Sequence, residues 1–157
     1  MNWAHWLLWG FAATVLMTTL MTGSQAARLT RINLPYMIGT IFTPNRDRAK
    51  VIGFFLHLLN GWAISLLYLL GFQALGVARW WIGALFGLLH GAFVLTVGMT
   101  LMPGLHPRMA SEHQGPTVAR QLEPPGFLAL NYGAPTPAFL LAAHVLFGAF
   151  LGGLYHA

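Results

Sequence analysis

Three histidines lie deep inside long uncharged stretches, and two of them keep the same company. His57 is followed by Gly61 and Tyr68, and His144 by Gly148 and Tyr155, so that glycine comes four residues and tyrosine eleven residues after each imidazole. Residues four apart share one face of a helix. Each copy therefore pairs an imidazole with a patch bare of side chain one turn further on. Two neutral imidazoles on different helices can ligate one haem iron from both sides. On that reading Gly61 and Gly148 would let a porphyrin approach the backbone, and Arg46, Arg48 or Arg108 would reach its propionates. His57 and His144, with the two glycines, are thus the candidate cofactor residues, for a b-type haem and an electron-transfer role.

His90 is the third imidazole. A His57/His90/His144 site for zinc or copper is chemically possible, but no carboxylate or thiolate in the apolar stretches supports it, and we assign no metal. A simpler reading uses the same residues without a cofactor. A buried histidine can donate to a carbonyl or to a threonine of the next helix, with Thr14, Thr18 and Thr96 as candidates. Glycines at four-residue spacing bring helices close: Gly83, Gly87 and Gly91 make one such face, Gly148 and Gly152 another, and His90 joins them as a packing residue. The methionines Met17, Met21, Met99 and Met102 then fill gaps. We adopt this packing reading.

The remaining polar candidates form a loop patch: His106, Arg108, Glu112, His113 and Glu123. Glu112, His113 and His106 are the right types for a surface metal or acid/base cluster, but such a patch more commonly pins loops together or meets a partner. There is no nucleophile elbow, phosphate-binding glycine loop or zinc-protease motif. Cysteine is absent, which removes disulfides, thiolate ligands and cysteine nucleophiles. The three acidic residues, Asp47, Glu112 and Glu123, all belong to the expected cytoplasmic edge, so no buried carboxylate offers a proton path. We expect no enzyme.

The elements that must position these residues are long apolar helices. Of the 157 residues 57% are apolar and 7% charged, against about 45–50% and 25% in soluble domains. A bilayer needs roughly 20 apolar residues per helix, and four such stretches fit: 3–22, 47–70, 80–102 and 136–156. The expected fold is all-α, a single membrane domain over residues 1–157. Arg28, Arg31, Arg46, Arg48, Lys50, Arg108 and Arg120 then share one side, with Arg79 opposite. Basic residues stay cytoplasmic, so both long loops are expected in the cytoplasm and both termini outside, in a bacterial inner membrane. The net charge of +5 follows from that placement and from anionic lipid, and no clustered basic face with stacking aromatics suggests nucleic acid. Trp3, Trp6, Trp9, Trp80 and Trp81 suit an outer aromatic belt, with Tyr68 and Tyr155 near the same face. Thr43-Pro44 and Thr136-Pro137 read as helix N-caps with first-turn prolines. The segments 32–42 and 124–133 read as interfacial or shallow re-entrant pieces.

The two halves look duplicated. Leu7-Leu8-Trp9-Gly10 parallels Leu88-Leu89-His90-Gly91, Thr19-Leu20-Met21 parallels Thr100-Leu101-Met102, and each is followed by a proline-bearing loop and the His-Gly-Tyr helix. We read two tandem hairpins (about 3–70 and 80–156) related by a pseudo-two-fold axis along the membrane normal. By the helical rise of 1.5 Å per residue all three imidazoles fall near the middle of the bilayer, with His144 about 12 Å and His90 about 18 Å from the cytoplasmic ends of their helices.

The stretches Arg46-Asp47-Arg48-Ala49, His106-Pro107-Arg108-Met109-Ala110 and Leu122-Glu123-Pro124-Pro125-Gly126-Phe127 resemble a family of uncharacterised small four-helix membrane proteins from bacteria. That resemblance would cover most of the chain and implies no activity. The sequence thus points to a non-catalytic accessory or scaffolding subunit, in contact with the lipid bilayer and other membrane subunits of an energy-converting assembly. Its alternatives are the bis-histidine haem module and a small transporter.

Overall fold

The computed structural model describes residues 3–111 and 113–155. Glu112, one residue of the expected loop patch, lies outside the described residues. Among those described, four helices are long and apolar enough to cross a membrane: α1 (Trp3–Ala26), α3 (Arg46–Leu75), α4 (Trp80–Leu105) and α5 (Thr136–Leu154). A short helix, α2 (Leu34–Phe42), precedes α3. A 3₁₀ segment (Phe127–Tyr132) precedes α5. The four long helices follow the four apolar stretches, with α1 and α3 running several residues further at their C-terminal ends.

The helix ends show which residues won the local competition. Asn45, not Thr43, caps α3: its side chain accepts from the backbone N–H of Asp47 (3.1 Å) and Arg48 (3.0 Å). Thr43 is the C-cap of α2, and Asn33 caps the start of α2 by accepting from Tyr36 N–H at 2.9 Å. Two amide side chains thus hold the exposed N–H groups that helix starts leave over. Thr136 is also not a cap. It is the first residue of α5, fully buried, and its hydroxyl bonds that of Thr30 at 2.6 Å. Gly76 ends α3 in the left-handed conformation (φ 67°) that glycine adopts without a Cβ clash.

Glycine decides how closely the helices approach. A Cβ on Gly83 would lie 1.9 Å from the Gly148 carbonyl oxygen, and one on Gly148 would lie 2.0 Å from that of Gly83. Gly87 faces the His144 carbonyl oxygen at 2.1 Å, and Gly152 that of Arg79 at 2.3 Å. Helices α4 and α5 therefore run antiparallel with backbone against backbone, as small-residue faces allow. The same device docks α2 on the first turns of α3, where Gly39 meets the Ala49 carbonyl and Gly53 that of Pro35. The 32–42 segment is therefore a helix held against α3. Helix α5 also packs on α1 and α3, through pairs such as Trp9 with Phe150 and Tyr68 with Phe147.

The two hairpins close in different registers. In the first, Gly10 faces Ser65 and Gly61 faces Thr14. Carried across by the sequence parallels, that register would set Gly91 against Gly152. Gly91 instead meets Leu141 and His144, while Gly152 meets Arg79 and Gly83.

Candidate functional site

The three imidazoles converge. His57 on α3, His90 on α4 and His144 on α5 all line one internal cavity of about 190 Å³, together with Thr14, Met17 and Met99 among others. His57 and His144 are 7% and 3% exposed, so both are turned into the bundle. An ionisable side chain in a helix that spans a membrane is expected to face inward. Helix α4 carries a π-helical segment at Val94–Gly98, and both of its end residues line the cavity. The wider turn of a π segment shifts the register of side chains on either side of it.

Each imidazole is held differently. His144 Nδ1 lies 2.7 Å from the Leu140 carbonyl oxygen of its own helix, so Nδ1 carries the proton and Nε2 keeps its lone pair. The His90 and His144 rings meet edge to face, with centroids 4.6 Å apart. His90 Nδ1 bonds the Tyr68 hydroxyl at 3.0 Å, and the Tyr68 ring sits edge-on to Phe147. Tyr68 (5% exposed) and Tyr155 (1%) are both interior residues. Trp3, Trp80 and Trp81, expected in the outer belt, are exposed.

The threonines do not serve the histidines. Thr14, Thr18 and Thr96 each donate to the carbonyl four residues earlier on their own helix, at 2.7–2.8 Å. Of the two partners expected for a buried histidine, carbonyl or threonine, His144 takes the carbonyl. His90 takes a tyrosine, a partner that spacing along single helices could not reveal because it lies on α3.

The haem hypothesis meets a geometric obstacle. A cavity of about 190 Å³ is below even the 300–1,000 Å³ range of drug-sized ligand sites, and the His90 ring already lies against His144. The glycines are occupied as well. Gly61 accommodates the Thr14 side chain, and Gly148 lies on the Gly83 backbone. The bare patch one turn beyond each histidine is filled by the neighbouring helix, so these residues do not fit a porphyrin as they stand. Among the described residues, no three His, Cys, Asp or Glu side chains are placed to hold a metal ion. Gly83, Gly87, Gly91 and Gly152 lie on the α4–α5 contact.

The loop patch divides in two. His106 is buried at the end of α4: its Nδ1 accepts from the Arg108 backbone N–H (3.1 Å), and its Nε2 donates to the Met37 carbonyl (2.9 Å). Burial holds its pKa below the usual 6.5, opposed by the Met37 bond and assisted by the charges of Arg108 and Arg120. The Arg108 guanidinium donates to the Thr40 and Ile41 carbonyls at the end of α2 (2.5 and 3.0 Å), where a cation also meets the negative end of the helix dipole. Glu123 lies apart from them and pairs with Arg31 at 3.2 Å. Its backbone carbonyl accepts from the Tyr132 hydroxyl at 2.5 Å. Burial, followed by the Glu123 charge, pushes the Tyr132 pKa up to about 12, which keeps the hydroxyl a donor. His113 is exposed and is not drawn into either half. One half joins the end of α4 to α2, and the other joins the loop before α5 to the segment before α2.

No protein-family model, curated protein or solved structure matches this chain.

Proposed function

We propose that the chain is a non-catalytic helical subunit of the bacterial inner membrane, built to sit within a larger membrane assembly of the energy-converting kind. The observation that carries this reading is the backbone-on-backbone packing of α4 and α5 through Gly83, Gly87, Gly148 and Gly152. It makes a rigid pair whose outward side chains, such as Trp81, Leu85, Leu89 and Leu146, are large, apolar and exposed. Polar groups at mid-depth are largely bonded within the chain, as in His144 to Leu140 and Tyr68 to His90. Such a body suits lateral contact with lipid and with other helices. The basic residues flanking the helices favour cytoplasmic long loops and outside termini. A tandem duplication remains a reading of the sequence parallels, since the two hairpins differ in register.

Native electrophoresis of gently solubilised membranes tests the proposal. Migration within an assembly several times the mass of the 17.2 kDa chain is the expected result. A lone small species from unperturbed membranes contradicts it.

A further inference from the structure

A second hollow lies on the outside of the bundle. Between α3 and α4, Ile64, Leu67, Gly71, Phe86, Leu89 and Phe93 frame a groove of about 440 Å³ that is almost wholly apolar. The polar side chains in its lining are one hydrogen-bonded pair, Tyr68 and His90. Leu89 and Phe93 on its rim are 61% and 60% exposed, so the groove opens sideways, toward acyl chains if the helices span a bilayer. Gly71 keeps its floor low, for a Cβ there would lie 2.7 Å from the Phe86 ring.

The pair at the base of this groove has a hydrogen-bond donor left over in either tautomer. If the tyrosine donates to Nδ1, the proton of His90 sits on Nε2, which has no hydrogen-bond partner among the described residues. If Nδ1 donates to the tyrosine oxygen, the Tyr68 O–H is the donor without a second partner. The His90 Nε2 atom is not sealed away without a partner, since among the described residues the Trp62 indole nitrogen is the buried polar side-chain atom in that position. Lipid tails offer no acceptor, and an unmet donor at this depth is costly. An occupant that suits the groove is therefore flat, apolar and membrane-soluble, and carries a carbonyl oxygen.

We propose that the α3–α4 groove binds a lipid-soluble ring carbonyl of the quinone class, its oxygen accepting from the Tyr68–His90 pair and its ring lying among Phe86, Phe93 and Leu67. This groove shares Ile64, His90 and Val94 with the lining of the internal cavity, and the proposal does not depend on the subunit reading.

The test compares two probes of equal tail length, a 1,4-benzoquinone and an alkylbenzene without oxygen, titrated into the full chain in lipid nanodiscs and read by tryptophan quenching and native mass spectrometry. The wild-type chain should prefer the quinone about tenfold, the effect of one hydrogen bond. Tyr68→Phe combined with His90→Leu removes both possible donors and should abolish the preference. The single variants show which donor is used. Leu89→Trp, a change on the exposed rim that leaves the interior intact, should block both probes. Equal binding of the two probes, a preference that survives in the double variant, or unaltered binding in Leu89→Trp would overturn the proposal. So would mass spectra showing only phospholipid retained in the presence of the quinone.

Discussion

Replacing Gly83 with alanine is the most telling perturbation of the α4–α5 pair. The new Cβ would stand 1.9 Å from the Gly148 carbonyl oxygen, where 3.0 Å is about the closest a Cβ comes to another atom. The obstacle is backbone, not the end of a flexible side chain, so the two helices must part by roughly 1 Å. Overpacking of this kind typically costs 1–3 kcal/mol, and here the separation also loosens the Gly87–His144 and Gly152–Arg79 contacts on the same seam. We expect Gly83→Ala to lose about 2–3 kcal/mol. Gly23→Ala is the control, since nothing lies within 4 Å of its Cβ position. In a helix interior that change should be neutral or stabilising by up to about 1 kcal/mol. Equilibrium unfolding in bicelles, followed by circular dichroism or steric trapping, compares the two. If Gly83→Ala unfolds at the same midpoint as Gly23→Ala, the seam is not what holds α4 to α5.

Three further outcomes follow from the loop contacts and the cavity. Asn45→Ala should destabilise by about 1 kcal/mol through loss of the α3 cap, more than Thr43→Ala does, as measured by the same unfolding assay. His106 has a folded pKa below 6.5, so above that pH both folded and unfolded states are neutral and its contribution is complete. As pH falls below 6.5 the unfolded chain takes up the proton first, and stability declines until the lowered folded pKa is reached. His106→Gln should flatten that decline in a pH series of unfolding midpoints. Finally, protein expressed with adequate haem and purified in mild detergent should show no Soret absorption. A Soret band lost in both His57→Ala and His144→Ala would mean that the cavity opens far beyond its present size.

The four long helices were legible because their signal is bulk composition: 20 or more apolar residues in a row have few other solutions. The glycine faces were legible too, since four-residue spacing survives in any helix. What spacing could not supply was the partner. Gly61 and Gly148 each follow a histidine by one turn, but only the tertiary arrangement shows that Thr14 and Gly83 fill those patches. The Tyr68–His90 bond joins two helices, and no pattern along one of them announces it. Thr43-Pro44 reads like a helix start, yet Asn45 is the cap and Thr43 closes the preceding helix. In the 127–132 segment Leu128 and Ala129 adopt positive φ (53° and 60°), a conformation that non-glycine residues rarely disclose in advance.

The account rests on imidazoles gathered inside the bundle, and histidine-selective solid-state NMR reaches them directly. In chain labelled with ¹³C and ¹⁵N at histidine and reconstituted in lipid, rings with centroids 4.6 Å apart should give a strong through-space cross-peak between His90 and His144. The peak should vanish in His144→Gln, which assigns it. A well-folded sample with no such peak, or with His144 ring signals broadened by a lipid-soluble spin label but not by one confined to water, would contradict the inward-facing arrangement.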